Sequence, residues 1–332
     1  MSRPGRARAA IVVIAATLLL AVGIAAAMWA IHRGRGDSPG VDPQSAASVF
    51  DVVAVSGRVG ATPVVALESP ARVTALKSRV IATGAGRQIT PDSPVLLAVT
   101  AFDGATGENL SPQGRPQLVV GAAGEADLGE DLAGLVIGQP EGTRLLVVRP
   151  IGGGDGPDAP AVEVDVVDVL ATIAYGDEVI GEQIGALQVT MSPEGPVIRH
   201  GEEPPGGITI QTLVAGGGGQ VREDDALVAQ FAVVGWADGM VRSSTWTTGV
   251  PELIVLERAM PGLRQALVDQ RIGSRLAITI PPDMADGDDT LCVVIDLLGV
   301  EPAHGGPADD DSPQSQGAAP QSTGGAGAAS GP

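Results

Sequence analysis

The chain has 332 residues and a formal net charge of −19, with 20 basic and 39 acidic side chains. Such an acidic chain repels a phosphate backbone, which excludes nucleic acid as a partner. Its aromatic residues are three phenylalanines, three tryptophans and one tyrosine, so a site built mainly from aromatic side chains has little to draw on. The 47 glycines and 26 prolines favour strands and turns over long helices.

The N-terminal part of the sequence predicts a membrane anchor. Residues 1–8 are a basic N-terminus, and residues 9–31, AAIVVIAATLLLAVGIAAAMWAI, are uncharged. About 20 apolar residues suffice for a transmembrane helix, whereas the apolar region of a cleaved signal peptide has about 7 to 15. Arginines flank the segment on both sides, with a slight excess before it that favours a cytoplasmic N-terminus. We expect a single-pass protein of the cell membrane whose folded part is extracytoplasmic.

The composition then separates a folded part from two segments without a core. Residues 32–50 are rich in glycine, proline, serine and aspartate and predict a flexible stalk. Residues 301–332 have a similar composition and predict a disordered tail. The folded part is therefore expected between residues 51 and 300.

An internal repeat organises this folded part. Residues 79–111 align without a gap with residues 211–243, at an offset of 211 − 79 = 132. Two later blocks follow in the same order: GTRLLVVRP at 142–150 matches GSRLAITIP at 273–281, and VDVL at 167–170 matches IDLL at 295–298. The order of the three matched blocks predicts two copies of one domain, at 51–173 and 174–300.

Each copy combines short strands with one brief helix. LLAVTAF and LVAQFAVVGW alternate as strands do, and VEVDVVDVL and TLCVVIDLL predict closing strands. DLAGLVIGQ and MPGLRQALVDQ have the spacing of a short amphipathic helix. The expected fold class is α+β, with two tandem domains that are each an antiparallel sheet around a short helix, behind the transmembrane helix. We expect the protein to be monomeric.

Several kinds of chemistry are excluded by residue placement. The three histidines, His32, His200 and His304, lie beside the membrane, in a loop and in the tail, where none can orient a nucleophile or join a metal cluster. Cys292 lies in an apolar run and is expected to be a buried core residue. The glycine-rich stretches lead into strands and no GK[ST] occurs, so they predict turns. No catalytic residue, metal site or cofactor is assigned.

The second copy resembles a known family. It reads FAVVGWADGMVRSSTW, then AMPGLRQALVDQRIGSRLAITIPPDMADGD, then TLCVVIDLL, and this is similar to the FKBP-type peptidyl-prolyl cis-trans isomerases. Agreement covers most of residues 227–300, and the first copy is tied to the family mainly through the repeat. The resemblance implies an antiparallel sheet wrapped around a short helix, with an apolar pocket that accepts a prolyl ring.

The resemblance also implies which residues line the pocket. They are Phe231, Met260, Leu263, Asp286 and Val294. Four of the matched positions lack the family's aromatic residue: the loop phenylalanine corresponds to Arg242, the floor tryptophan to Leu263, the tyrosine of the acidic loop to Asp286 and the last-strand phenylalanine to Val294.

Two functions fit this sequence. The first is a membrane-anchored, extracytoplasmic prolyl isomerase that acts on X-Pro bonds of proteins and assists folding. The alternative is a catalytically inactive binding or chaperone module that kept the fold. The expected partners are proline-containing protein segments and, through the N-terminal helix, the membrane. The orientation of Asp286 distinguishes the two, because an unpaired carboxylate would spoil a dry proline site.

Overall fold

Strands make up most of the regular structure. A computed structural model describes residues 48–152, 161–179 and 185–302. Up to residue 170 its strands are β1 (Val53–Ser56), β2 (Val64–Leu67), β3 (Lys77–Ala82), β4 (Pro94–Asp103), β5 (Gln117–Ala122), β6 (Arg144–Ile151) and β7 (Ala161–Leu170). The later strands are β8 (Asp177–Glu178), β9 (Leu187–Ser192), β10 (Gly195–His200), β11 (Thr209–Ala215), β12 (Asp225–Gly235), β13 (Val241–Ser244), β14 (Glu252–Val255), β15 (Arg275–Ile280) and β16 (Leu291–Pro302).

These strands form two larger antiparallel sheets and two hairpins. The first sheet has the order β3-β6-β7-β4-β5. The second has the order β13-β12-β16-β15-β11-β8, and β14 also pairs with β12. The hairpins are β1-β2 and β9-β10. Branched and aliphatic residues that alternate along β4 and β12 place one set of side chains on each face of their sheet.

The repeat predicted from the sequence is confirmed by the topology. The order β3-β6-β7-β4-β5 of the first sheet recurs in the second as β11-β15-β16-β12-β14. The register agrees as well: Val95 pairs with Gly121 in the first sheet, and Leu227, 132 residues after Val95, pairs with Ile254. The domain boundaries at 51–173 and 174–300 stay predictions.

The described residues include three short α-helices beside the sheets: α1 (Glu125–Leu128), α2 (Glu130–Val136) and α3 (Pro261–Leu267). Helix α3 begins with proline, whose fixed φ suits the first helical position. It ends before Asp269, which has a φ of 66° in the left-handed region. Ala266 and Leu267 are fully buried against the second sheet. The predicted positions of the short helices in both copies are thus confirmed.

The predicted fold class is wrong. The α+β assignment is corrected to a mostly β structure, because its α-helices have only four or seven residues, whereas β16 alone has 12. Within the described ranges no helix is long and apolar enough to cross a membrane. The predicted anchor at 9–31 lies outside the described residues, and so does the predicted tail at 301–332 except for Glu301 and Pro302, which end β16.

Each sheet is covered on both faces. In the second sheet, α3 lies over one face, and the hairpin β9-β10 packs on the other through Leu187 and Val189. In the first sheet, α1 and α2 cover one face, and the hairpin β1-β2 covers the other. A further cluster of buried apolar side chains joins the two sheets. In it, Leu96 and Leu170 of the first sheet pack with Val228 and Leu298 of the second.

A buried ion pair occupies the same place in each sheet. Arg144 on β6 pairs with Asp168 on β7, and Arg275 on β15 pairs with Asp296 on β16. Both carboxylates are bound by two nitrogens of one guanidinium, at 2.6 and 2.7 Å. Each also accepts a backbone hydrogen bond from the segment before its sheet, Asp168 from Gly60 and Asp296 from Ala174. The pairs therefore hold these preceding segments against the sheets.

Candidate functional site

The structure brings together three of the five predicted pocket residues. Phe231 lies on β12, Met260 directly precedes α3, and Leu263 is in the first turn of α3. All three are partly buried and pack against the same buried cluster of the second sheet. Met284, from the short helical turn after β15, packs against it too. We call the surface formed by Phe231, Met260, Leu263 and Met284 the α3 face.

Val294 does not belong to the α3 face. It is buried in the cluster beneath the hairpin β9-β10, together with Trp236 and Cys292. Its neighbour Val293 belongs to the α3 cluster and is 1% exposed. Because side chains alternate along a strand, an error of one residue in the alignment moves a side chain to the opposite face. Val293 therefore takes the place that the sequence comparison gave to Val294.

Asp286 is exposed in the acidic loop after β15. It has a φ of 53°, in the left-handed region that few residues other than glycine, asparagine and aspartate adopt. The preceding Ala285 is 6% exposed and belongs to the α3 cluster, whereas Asp286 does not. Its carboxylate thus stays in water instead of being buried in an apolar site.

Sequence reasoning missed Met284 and Val233. Val233 follows Phe231 at a spacing of two residues and lies on the same face, so the alternation of β12 contained the signal. Met284 is near α3 because the helix approaches the turn closely at Gly262. A Cβ at Gly262 would collide with the side chain of Ile280 and lie 3.0 Å from the carbonyl oxygen of Met284. No pattern in the sequence predicts that approach.

The loop after β12 and the adjoining strand β13 carry an ion pair, whose Arg242, on β13, stands where the resemblance has a phenylalanine. Arg242 donates to Asp238 at 2.9 Å and to Asp289 at 3.4 Å. The pKa of Asp238 is lowered, first by the backbone N–H of Met240 and also by Arg242. Arg242 is 40% exposed, so this loop presents a solvated charged group and adds no apolar wall.

The corresponding face of the first sheet is charged. The offset of 128 relates Val293 to Asp165, and the offset of 131 relates Ile280 to Arg149. Arg149 donates to Asp165 at 2.9 Å and also pairs with Glu163. Burial, followed by the nearby Glu163, raises the pKa of Asp165 to about 7. This arrangement does not provide the dry apolar surface that the α3 face has.

The α3 face offers apolar side chains and backbone groups rather than acid, base or metal chemistry. Among the described residues, no group of histidine, cysteine, aspartate and glutamate side chains could hold a metal ion. The thiol of Cys292 is buried on the other face, and burial raises its pKa to about 12. It is therefore not a thiolate nucleophile at neutral pH.

Several solved structures resemble part of this chain. FkpA from Escherichia coli is 24% identical, with a TM-score of 0.28, over 35% of this chain and 53% of that one. A peptidyl-prolyl cis-trans isomerase from Pseudomonas syringae is 19% identical over 28% of this chain and 75% of that one, with a TM-score of 0.26. The three FKBP domains of wheat FKBP73 are 15% identical over 68% of this chain and 95% of that one, with a TM-score of 0.26.

These likenesses are limited. The chain spans about half the length of FkpA, and TM-scores of 0.26 to 0.28 are too low to carry an argument about fold or activity. No family model and no curated protein matches the sequence.

Proposed function

We propose that the protein is an FKBP-type peptidyl-prolyl cis-trans isomerase whose active surface is the α3 face of the second sheet. The observation that carries the proposal is the convergence of Phe231, Met260 and Leu263 on one buried cluster. These residues come from the stretches of sequence that resemble the family, and they are far apart in the chain.

The chemistry of this reaction suits an apolar surface without ionisable groups. Rotation about an X-Pro bond breaks amide resonance, and the barrier for a peptide bond is about 18 to 20 kcal/mol. The twisted amide has lost part of its polarity, so an apolar surface that excludes water favours it over the planar ground state. Phe231 and Leu263 would contact the prolyl ring, and the backbone N–H of Met260 could donate to the substrate carbonyl.

A binding module without catalysis is the second candidate. The ion-paired Arg242 and the exposed Asp286 stand where the resemblance has aromatic side chains. Fewer aromatic rings hold a prolyl ring less firmly, because each aromatic side chain can bury about 150 to 250 Å² of apolar surface. Such a surface would hold proline-containing segments without accelerating their isomerisation.

Three sequence-based predictions complete the proposal. The clients are proline-containing segments of other proteins, the folded part lies outside the cytoplasm, and the protein acts as a monomer. These predictions rest on the sequence alone.

The test is the isomerisation rate of a proline-containing peptide in the presence of the full-length chain. We expect Phe231→Ala to lower kcat/KM by at least about tenfold, because truncating a half-buried phenylalanine removes more than about 1.4 kcal/mol of apolar contact. Val99→Ala is the matched control, since Val99 holds the equivalent position in the first sheet, and it should leave the rate unchanged.

Two outcomes would contradict the proposal. An uncatalysed rate from folded wild-type protein would exclude the isomerase, and peptide binding without acceleration would then identify a binding module. Equal losses in Phe231→Ala and Val99→Ala would show that the α3 face is not the active surface. Thermal unfolding of each variant separates these outcomes from simple loss of structure.

A further inference from the structure

Strand β3 is the outermost strand of the first sheet and has an open edge. It pairs with β6 on one side, and no other strand of the described residues pairs with it. All six of its residues are exposed, including the apolar Val80 at 39% and Ile81 at 37%. Such an edge presents backbone N–H and C=O groups to any extended segment that reaches it.

The equivalent edge of the second sheet carries an added strand. β11 corresponds to β3 at the offset of 132, and both strands have a bulge at the same place, at Leu213 and at Ile81. β8 runs antiparallel to β11, where Glu178 pairs with Val214. The N–H of Val179 then donates to the carbonyl oxygen of Leu213 at 3.0 Å. In one of its two copies, this edge therefore accepts a further strand.

The two copies differ in the route of the chain after a common anchor. The backbone N–H groups of Gly60 and Ala174 bind the carboxylates of the two buried ion pairs. After Ala174 the chain runs along β11 as β8, whereas after Gly60 it enters β2, which pairs with β1. Within the described ranges, the first copy thus has no counterpart of β8, and the edge of β3 is left for another segment.

The side chains of β3 favour an acidic segment. Lys77 is exposed and forms no ion pair with any described residue. Arg79 is 47% exposed and lies 3.9 Å from Asp51. Charges are screened beyond about 8 Å at physiological salt, so these two cations count more at the edge than the net charge of −19. Two β3 strands side by side would bring like charges together, which disfavours a second copy of this chain.

We propose that the open edge of β3 binds an extended acidic segment of a partner protein, which adds to the first sheet as an antiparallel strand in the position that β8 has beside β11. Continued along β3, the register of β8 places alternate residues of this segment opposite Arg79 and Lys77, where carboxylates meet both cations. Binding through backbone hydrogen bonds needs no proline. The site is separate from the α3 face and goes beyond the proposed isomerase activity.

The test is fluorescence anisotropy of the labelled peptide GDEVIEVE, titrated with the full-length chain. Its first five residues repeat 176–180, which include β8, and its last two glutamates are placed opposite Arg79 and Lys77. The peptide GDEVIKVK should bind at least about tenfold more weakly, because two attractions become two repulsions.

Methylation of single peptide nitrogens tests the backbone pairing. N-methylation of the first valine, which stands for Val179, removes the N–H that would donate to the carbonyl oxygen of Ile81. Affinity should fall by at least about fivefold, the value of one neutral hydrogen bond. N-methylation of the preceding glutamate is the matched control. Its N–H points away from the edge, because these groups alternate along a strand, so the affinity should change less than about twofold.

Two charge variants and hydrogen exchange locate the site. Lys77→Glu should weaken binding of GDEVIEVE by about fivefold. Arg199→Glu, the same change at an exposed residue of β10, should change it less than about twofold. The peptide should slow hydrogen exchange at the free edge of β3 and leave β11 unchanged. Phe231→Ala should leave this binding intact, which keeps the result independent of the isomerase assay.

Several outcomes would overturn the proposal. Equal losses in Lys77→Glu and Arg199→Glu would show attraction by charge alone, and protection that appears in β11 would place the peptide on the wrong edge. Protection of the free edge of β3 before peptide is added would show that the chain covers this edge itself. Concentration-dependent dimerisation that Lys77→Glu alters would identify a second copy as the occupant.

Discussion

Replacing Asp168 with alanine is expected to lower the free energy of unfolding by about 3 to 5 kcal/mol, because it leaves the charge of Arg144 buried without its partner. Both side chains are only 3% exposed. Asp168 receives two hydrogen bonds from Arg144 and one from the backbone N–H of Gly60. Urea unfolding at pH 7 measures the effect.

Two further variants make this prediction specific. Asp288→Ala removes a carboxylate from an exposed loop and should change the stability by less than about 0.5 kcal/mol. The double replacement Arg144→Met with Asp168→Leu should be less destabilising than Asp168→Ala, because it leaves no charge unpaired. It should still be less stable than the wild type, since Arg144 also donates to the carbonyls of Gly57 and Arg58. A double variant no more stable than Asp168→Ala would contradict this account.

The stability of the protein is also expected to fall as the pH rises from about 4 to about 7. The folded state raises the pKa of Asp165 from 3.8 to about 7, first through burial and then through Glu163. The folded chain therefore holds this proton more tightly than the unfolded chain. The contribution of Asp165 to the free energy of unfolding is therefore fully present below pH 3.8 and is lost as the pH rises through about 7.

Asp165→Asn isolates this contribution, because asparagine keeps the side chain neutral at every pH. The variant should flatten the pH dependence of unfolding and be more stable than the wild type at pH 8, by a difference on the order of a few kcal/mol. The charged groups that face Asp165 are Arg149 on β6 and Glu163 on β7, and Asp103 on β4 lies opposite Glu163. Parallel curves for wild type and variant, with Asp288→Asn as control, would show that Asp165 does not titrate in this range.

The repeat made it predictable that both sheets share one strand order, because a matched spacing of strands and turns is visible without any knowledge of contacts. The buried ion pairs lie within the matched blocks of the repeat. The amino-acid sequence around Arg144 and Asp168, however, does not distinguish them from charged residues exposed to solvent. Their burial depends on the loop of Gly57 and Gly60 closing over them. The sequence predicted the positions of the helices correctly. Because these helices are short, however, the fold is mostly β.

The candidate site was predictable only where the periodicity of a strand or a helix could be checked. Phe231, Met260 and Leu263 lie in segments of clear periodicity and pack against one buried cluster. The facing of Val294 was not predictable, because Val293 and Val294 are both valines and the sequence does not show which of the two faces the helix. In the first sheet, the buried charge of Asp165 was equally unpredictable, because its neighbours Val164 and Val166 are apolar and are buried on the opposite face.

The central claim is that the α3 face takes the prolyl ring, and methionine methyl NMR tests it most directly. Of the six methionines, Met260 and Met284 lie on the α3 face, whereas Met191 and Met240 are exposed elsewhere. Titration with a proline-containing peptide should shift the methyl signals of Met260 and Met284 and leave those of Met191 and Met240 unchanged. Unchanged Met260 and Met284 signals at saturating peptide would contradict the account.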